Sequence, residues 1–338
     1  MELLIWGAGA IGGVIGAYLV RAGHTVTLVD RDADHVNAIN QRGLAITGPI
    51  DEFLVHAPAF TPDRVAGQFG AILLCVKAQD TAAATQALAP HLQPDGYVVS
   101  VQNGLNELVI ADRIGRPRTI GSFVNFGADY LEPGLVLHGG RGAVVLGELD
   151  GSLTPRLAAL QSTLLDFEPN AIVTSNIWGF LWGKLAYGAQ LFATALTNDS
   201  IADCLADPVY HDLYIDLGQE VLRVAVAEGV TPEAFNGFNP LAFMPGAERA
   251  RSLRSLDEMV VHNRKSAKTH SGIWRDLAVR KRRTEVDAQL GPIVAFGQQH
   301  GVPTPLTARL ITLIHAIEDG TLPLQTANLD ELASARDK

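Results

Sequence analysis

Glu2-Leu3-Leu4-Ile5-Trp6 runs straight into Gly7-Ala8-Gly9-Ala10-Ile11-Gly12, and this join decides the fold. The first five residues read as a short apolar strand. Ala10 to Ala22 reads as a small-residue helix, and His24-Thr-Val-Thr-Leu-Val29 as a second strand closed by Asp30. Strand, spaced glycines, helix, strand and terminal acid form one βαβ unit with a dinucleotide fingerprint. Gly7 permits the tight turn, Gly9 lets backbone N–H groups approach a pyrophosphate, and Gly12 lets the helix pack close to the sheet. Gly7, Ala8, Gly9, Ala10, Ile11 and Gly12 are therefore the expected cofactor-binding loop, with the positive end of the helix facing the phosphates. Glycines also mark ordinary turns, so the flanking strands and helix carry the specificity of this reading.

At 338 residues the chain has room for two domains, and 47% hydrophobic against 18% charged residues predicts a sizeable core. A formal net charge of −10 argues against a nucleic-acid surface. Only Cys75 and Cys204 are present, which is no disulfide framework and fits a reducing cytoplasm. No signal-peptide pattern precedes the first strand, so a cytoplasmic protein is expected. Gly179 to Leu196 is apolar but spans only 18 residues and carries Lys184, so it reads as a buried helix rather than a membrane span. No metal site is expected.

Further strand-like runs follow at Ala71–Val76, Tyr97–Val101 and Thr119–Val124. Leu135–His138 and Ala143–Leu146 flank Gly139-Gly140-Arg141-Gly142, which reads as a hairpin. The expected fold is an α/β Rossmann N-terminal domain with a mostly parallel sheet over residues 1–170. An all-α C-terminal domain over 171–330 carries the substrate chemistry, and 331–338 forms a frayed tail. Its helices are expected at Trp178–Leu196, Val209–Glu228, Ser255–Asn263, Gly272–His300 and Pro305–Gly320.

Three places carry chemistry. Lys184 shares a helix face with Gly188 and Phe192 at four-residue steps. A buried lysine is costly unless paired or neutralised, and desolvation moves its pKa toward proton transfer. It reads either as a general acid facing the nicotinamide across the domain cleft or as a lysine snorkelling to solvent. Asn103, in Gln102-Asn103-Gly104 just past a strand, sits where ligands bind in such sheets, though Asn-Gly is also a plain turn. Glu285 lies in Arg283-Thr284-Glu285-Val286-Asp287; the adjoining Arg280–Arg283 run reads as a solvated face pairing with Glu285, Asp287 or Asp276.

The chain resembles the ketopantoate reductase (2-dehydropantoate 2-reductase) family along nearly its whole length. The resemblance rests on Gly7–Gly12, Val76-Lys77-Ala78, Gln102-Asn103-Gly104-Leu105, Glu132-Pro133-Gly134, Leu146-Gly147-Glu148, Trp182-Gly-Lys184-Leu185, Thr284-Glu285-Val286-Asp287 and Gly301-Val-Pro-Thr-Pro305. It implies Lys184 as the general acid that protonates the ketone oxygen as hydride arrives. It implies Glu285 as the holder of a substrate hydroxyl, and Asn103 as a contact to cofactor and substrate. The substrate positions then comprise Asn103, Lys184, Gly188, Phe192, Ser271 and Glu285. Gly188 and Phe192 stand where ketopantoate-reducing members carry asparagines. Ser271 stands near the family's carboxylate-binding serine, with His270 and Arg275 as added anion contacts. A 2-oxo or 2-hydroxy acid with more bulk or more hydroxyls than ketopantoate is therefore an equal candidate.

The resemblance implies NADP, with Arg31 and Lys77 as phosphate-binding residues. Asp30, at the end of the second strand, favours NAD. NADP is the expectation, because two cations oppose one acid. The expected activity is NAD(P)H-dependent reduction of a 2-oxo acid. The alternatives are oxidation of a sugar acid or β-hydroxy acid, and a non-catalytic dinucleotide-binding protein. A small-molecule substrate is the expected partner, without nucleic acid or membrane; apolar helices leave a homodimer open.

Overall fold

The computed structural model describes residues 2–235, 237–265 and 269–337. It divides into two units, one ending at Ile177 and one beginning at Trp178.

The first unit runs β1 (Glu2–Trp6), α1 (Ala10–Arg21), β2 (Thr25–Val29), α2 (Ala33–Arg42), β3 (Leu44–Thr47), β4 (Phe53–Val55), β5 (Ala59–Phe60) and β6 (Phe69–Leu74). It continues with α3 (Thr81–Leu88), β7 (Leu92–Ser100), α4 (Asn106–Ile114), β8 (Thr119–Glu132), β9 (Leu135–Glu148), α5 (Pro155–Leu164) and β10 (Ile172–Val173). One sheet holds all ten strands, in the order β4-β3-β9-β8-β7-β6-β1-β2-β5, with β10 alongside β9. The stretch from β5 to β8 is parallel throughout and doubly wound, with its order reversing between β1 and β6. β1 shows why its residues are apolar without alternation. Leu3 and Ile5 pack with Val14, Ile15 and Tyr18 of α1, whereas Leu4 and Trp6 pack with Ala84, Leu88 and Ile110 of α3 and α4. Both faces are covered, so both faces must be apolar.

The predicted hairpin at Gly139–Gly142 is not formed. β9 is continuous from Leu135 to Glu148 and pairs antiparallel with β8, and the chain turns instead at Pro133-Gly134, where Gly134 has φ +81°. The glycines serve close approach: a Cβ on Gly142 would lie 1.5 Å from the Asn125 carbonyl oxygen, in a ladder with irregular register around Gly127. The junction also moves, from the expected 170/171 to 177/178. β10 joins β9 in parallel, and Ile177 packs over Gly121 and Gly147, which keeps this stretch with the sheet.

The second unit comprises α6 (Ile177–Thr194), α7 (Ile201–Ala206), α8 (His211–Ala227), α9 (Arg249–Arg264), α10 (Gly272–Trp274), α11 (Val286–His300), α12 (Pro305–Glu318) and α13 (Ala327–Ala333). Among its described residues the β-structure is a single bridge, Phe235 to Phe238. The single helix predicted over Gly272–His300 is two. After α10 a wide turn spans Arg275–Val279, and α11 begins only at Val286. Ion pairs hold the break: buried Asp276 pairs with Arg280 and Arg282, and Glu318 accepts from Arg283 and from both the N–H and hydroxyl of Thr284. The cationic run is thus used internally, through Asp276 as one expected partner and also through Glu318 and Asp319. The tail expected to fray at 331–338 is helical instead. Leu332 is fully buried and Arg336 donates to Asp216 at 2.6 Å; Lys338 lies outside the described residues. Among the described residues no helix is long and apolar enough to cross a membrane.

Buried Glu220 of α8 receives the N–H groups of Leu306 and Thr307 and the Thr307 hydroxyl, capping α12 from across the helix pair. Burial pushes its carboxyl above the ordinary range, against the pull of these donors. Glu220→Ala is expected to cost roughly 3 kcal/mol in denaturant unfolding, because two helix-terminal N–H groups lose their acceptor. A raised folded pKa means that the carboxyl's contribution is lost as pH rises through that value. The variant should therefore show a flatter decline in stability above the ordinary carboxylate range.

Candidate active site

Four strand ends of the first unit converge. Gly7 leaves β1 with φ +101°, and the N–H groups of Gly7 and Ala8 both donate to Val29 O, at 2.8 and 3.0 Å. These two amides are committed to β2. The donors left for a ligand are those of the first turn of α1, since Gly9 caps the helix without a side-chain bond and the Ala10 and Ile11 N–H groups have no helical acceptor. The three fingerprint glycines differ in their surroundings. A Cβ on Gly12 would lie 2.1 Å from Gly7 O, one on Gly7 would lie 2.9 Å from Val76 N, and one on Gly9 would meet nothing within 4 Å. Gly7 and Gly12 are needed by the fold, and Gly9 borders open space. That arrangement fits a pyrophosphate at the helix end.

Buried His35 on α2 supports the loop from behind. Its Nδ1 accepts the Gly134 N–H at 2.9 Å, so its Nε2 carries the proton and donates to Ala8 O at 2.9 Å. No sequence signal distinguished this histidine. At the end of β2, an Asp30 carboxylate oxygen accepts the Asp32 N–H at 3.0 Å. Arg31 reaches Asp80 at 3.3 Å, in the short turn that follows Lys77 and β6. Gln102, beyond β7, donates to Val76 O and to Thr81 Oγ1, and Thr81 lies 2.8 Å from Asn106 Oδ1. Asn106 in turn donates to the Asn103 carbonyl at 2.6 Å. The network fixes the peptide of Asn103 while its side chain stays exposed. Thus the fingerprint loop, Asp30, Arg31, the Lys77 turn and Asn103 all lie at the carboxyl ends of parallel strands, around the point where strand order reverses.

In the second unit α6 is buried nearly all round. Beyond Trp178 in its first turn, its half-buried positions Phe180, Lys184, Tyr187, Gly188 and Leu191 recur three and four residues apart and form one stripe. Phe192 is not on it: the side chain is fully buried, so it does not share an open face with Lys184 as expected and lines no substrate position. The cause is helical drift, because each four-residue step rotates about 40° and two steps carry the residue off the stripe. Trp182 packs on Phe296 at 6.1 Å, and a Cβ on Gly188 would be 3.9 Å from Gln289 Oε1, so α6 and α11 run antiparallel. Half-buried Glu285 precedes α11 by one residue, one turn before Gln289, while Lys184 sits one turn before Gly188. Lys184 and Glu285 therefore flank the Gly188–Gln289 contact from opposite ends. Buried Ser271 accepts the Trp274 N–H as the cap of α10. Its neighbour His270 stacks on Trp274 and lies 3.1 Å from Asn198 O. Among the described residues no cluster of histidine, cysteine, aspartate or glutamate could hold a metal.

A doubly wound dinucleotide fold joined to a helical unit defines an oxidoreductase class that takes its reducing or oxidising equivalents from a nicotinamide dinucleotide. Two family models match: Ketopantoate reductase PanE/ApbA over residues 3–151 and Ketopantoate reductase PanE/ApbA C terminal over 176–318. The chain belongs to the ketopantoate reductase family. It is 28% identical to the 2-dehydropantoate 2-reductase of Halobacterium salinarum, over 95% of this chain and all of that one. It is 27% identical to that of Pyrococcus horikoshii, over 94% of this chain and 98% of that one. A PanE/ApbA family ketopantoate reductase structure from Ralstonia eutropha superposes with a TM-score of 0.80 at 28% identity, covering 95% of this chain and 99% of that one. D-mandelate dehydrogenase, solved with NADH and anilino(oxo)acetate, shares the fold at a TM-score of 0.82 and 24% identity, with 95% and 99% covered.

The glycine environments separate structure from binding. Gly12→Ala should lower Tm, since overpacking against Gly7 O costs about 1–3 kcal/mol or more. Gly9→Ala should leave Tm unchanged while weakening nicotinamide dinucleotide binding roughly ten- to hundredfold, the worth of one charge-assisted hydrogen bond. Calorimetric melting and fluorescence titration of both variants check this.

Proposed function

We propose that the protein catalyses NAD(P)H-dependent reduction of a 2-oxo acid to the 2-hydroxy acid. The observation that carries this reading is the lone basic side chain on the open stripe of α6, Lys184, set with Glu285 on either side of the Gly188–Gln289 contact. When bound, the dinucleotide supplies the hydride. The proton goes to the ketone oxygen from Lys184 Nζ, which serves as general acid. Its place on an otherwise buried helix limits the water that would compete for that proton. Glu285 accepts a hydroxyl or orients the far end of the substrate over Gly188, and Asn103, its peptide fixed by Asn106, orients the reacting carbonyl. A substrate of this size and charge is a small-molecule partner; the dimeric relative from Staphylococcus aureus supports a homodimer as the assembly.

The same stripe bears on the substrate. Where ketopantoate-reducing relatives are expected to carry an amide, this chain has Gly188, at which an added Cβ would meet only Gln289 Oε1, at 3.9 Å. One residue before stands Tyr187, whose ring lies 6.0 Å from Phe235 and 5.5 Å from Phe238. Space plus aromatic surface supports a 2-oxo acid with a larger, less hydroxylated substituent than ketopantoate.

Lys184→Met is expected to cut turnover roughly 10²–10⁴-fold while leaving dinucleotide affinity unchanged. Turnover within about tenfold of the parent would remove Lys184 from the proton transfer. In a panel of 2-oxo acids, bulky apolar members should outperform 2-dehydropantoate in kcat/KM. Gly188→Asn should narrow that preference; a parent enzyme that favours 2-dehydropantoate contradicts the assignment of substrate class.

A further inference from the structure

We infer that Asp80 is a specificity-determining residue which, together with Asp30, turns the dinucleotide site against a 2′-phosphate and so selects NADH over NADPH. The inference rests on reading residues 7–12 as a dinucleotide site. Arg31 and Lys77 are the cations that would greet such a phosphate, yet the Arg31 guanidinium is engaged by the Asp80 carboxylate at 3.3 Å. Asp80 stands at the start of α3 but makes no side-chain cap bond there. From the loop after β6 it reaches Arg31, the second residue beyond the end of β2.

Asp30 occupies the strand-end position from which a carboxylate receives the ribose 2′-hydroxyl in this fold. Its Oδ1 is fixed by the Asp32 N–H, which holds the group at the strand end. The surroundings are acidic as well. The Tyr130 phenol donates to Asp32 at 3.1 Å, and burial together with Asp32, Asp30 and Asp34 pushes its pKa well above the ordinary range. To bind a 2′-phosphate, Arg31 would have to share or give up its contact with Asp80, and the dianion would then lie beside Asp30. A 2′-hydroxyl requires neither. The device is discrimination by repulsion.

Arg31 is largely exposed, at 78% for its side chain, so its pair with Asp80 is a bias rather than a lock. NADH and NADPH are titrated into the intact protein by fluorescence, without substrate, so that the readout does not depend on turnover. The parent should bind NADH at least about tenfold more tightly, the scale of a like-charge contact at a binding site. Asp80→Asn should tighten NADPH about two- to fivefold and leave NADH unchanged, the worth of one exposed ion pair. That gain should fade at high salt and vanish in an Arg31→Leu background, because it acts through the freed guanidinium. A melting curve for each variant confirms folding. Three results would overturn the assignment of Asp80: a parent that binds both dinucleotides equally, an Asp80→Asn change shared by both, or a gain that survives without Arg31. Failure of both dinucleotides to bind would instead overturn the reading of residues 7–12, and this inference with it.

Discussion

The backbone approach that organises the first unit is that of Gly12 to the carbonyl of Gly7. A single added methyl at residue 12 would stand 2.1 Å from that oxygen. The approach brings α1 down onto β1 and β6, aims its first turn at the gap where strand order reverses, and presses the glycine turn against Val76. The loops that carry Asp30, Lys77 and Asn103 are then neighbours because their strands are neighbours. Side chains reinforce what the sheet imposes: His35 holds Ala8 O, Gln102 and Thr81 tie the β6 and β7 ends together, and Arg31 reaches Asp80.

The second unit solves a different problem. A helix as apolar as α6 is stable in water only when covered, and here coverage is nearly complete. What remains open beyond its first turn is a single stripe, and Lys184 stands on it. The site's second acid is placed by the interruption between α10 and α11. Asp276 and Glu318 draw the arginines and Thr284 out of helical geometry, Lys281 takes a left-handed φ of +50°, and α11 restarts just after Glu285. Ion pairs that look like surface decoration in the sequence thereby determine where a candidate substrate ligand sits.

What was legible in the sequence follows from how local each signal is. The βαβ fingerprint is local, since turn, helix start and close packing each demand a glycine at a fixed spacing, and residues 2–30 fold as read. The same residue type misleads at Gly139–Gly142, because glycine serves a tight turn and a close strand approach equally well and only the partner strand decides. The break at 280–285 contains neither glycine nor proline; it is imposed by carboxylates at 276 and 318. Phe192 misleads because four-residue spacing tracks a helix face for one step but drifts over two. Residues 331–338 read as a tail by composition, but Leu332 buries itself. Asp80 and His35 gave no signal, since their importance lies in contacts with residues 49 and 27 positions away.

The most direct measurement is a crystal structure of the protein with a reduced dinucleotide and an unreactive 2-oxo acid analogue. The account predicts the pyrophosphate at the Ala10 and Ile11 N–H groups, Lys184 Nζ within about 3 Å of the 2-oxygen, and Glu285 at the other end of a ligand lying over Gly188. A 2-oxygen held by some other proton donor, with Lys184 turned away from the ligand, would contradict it.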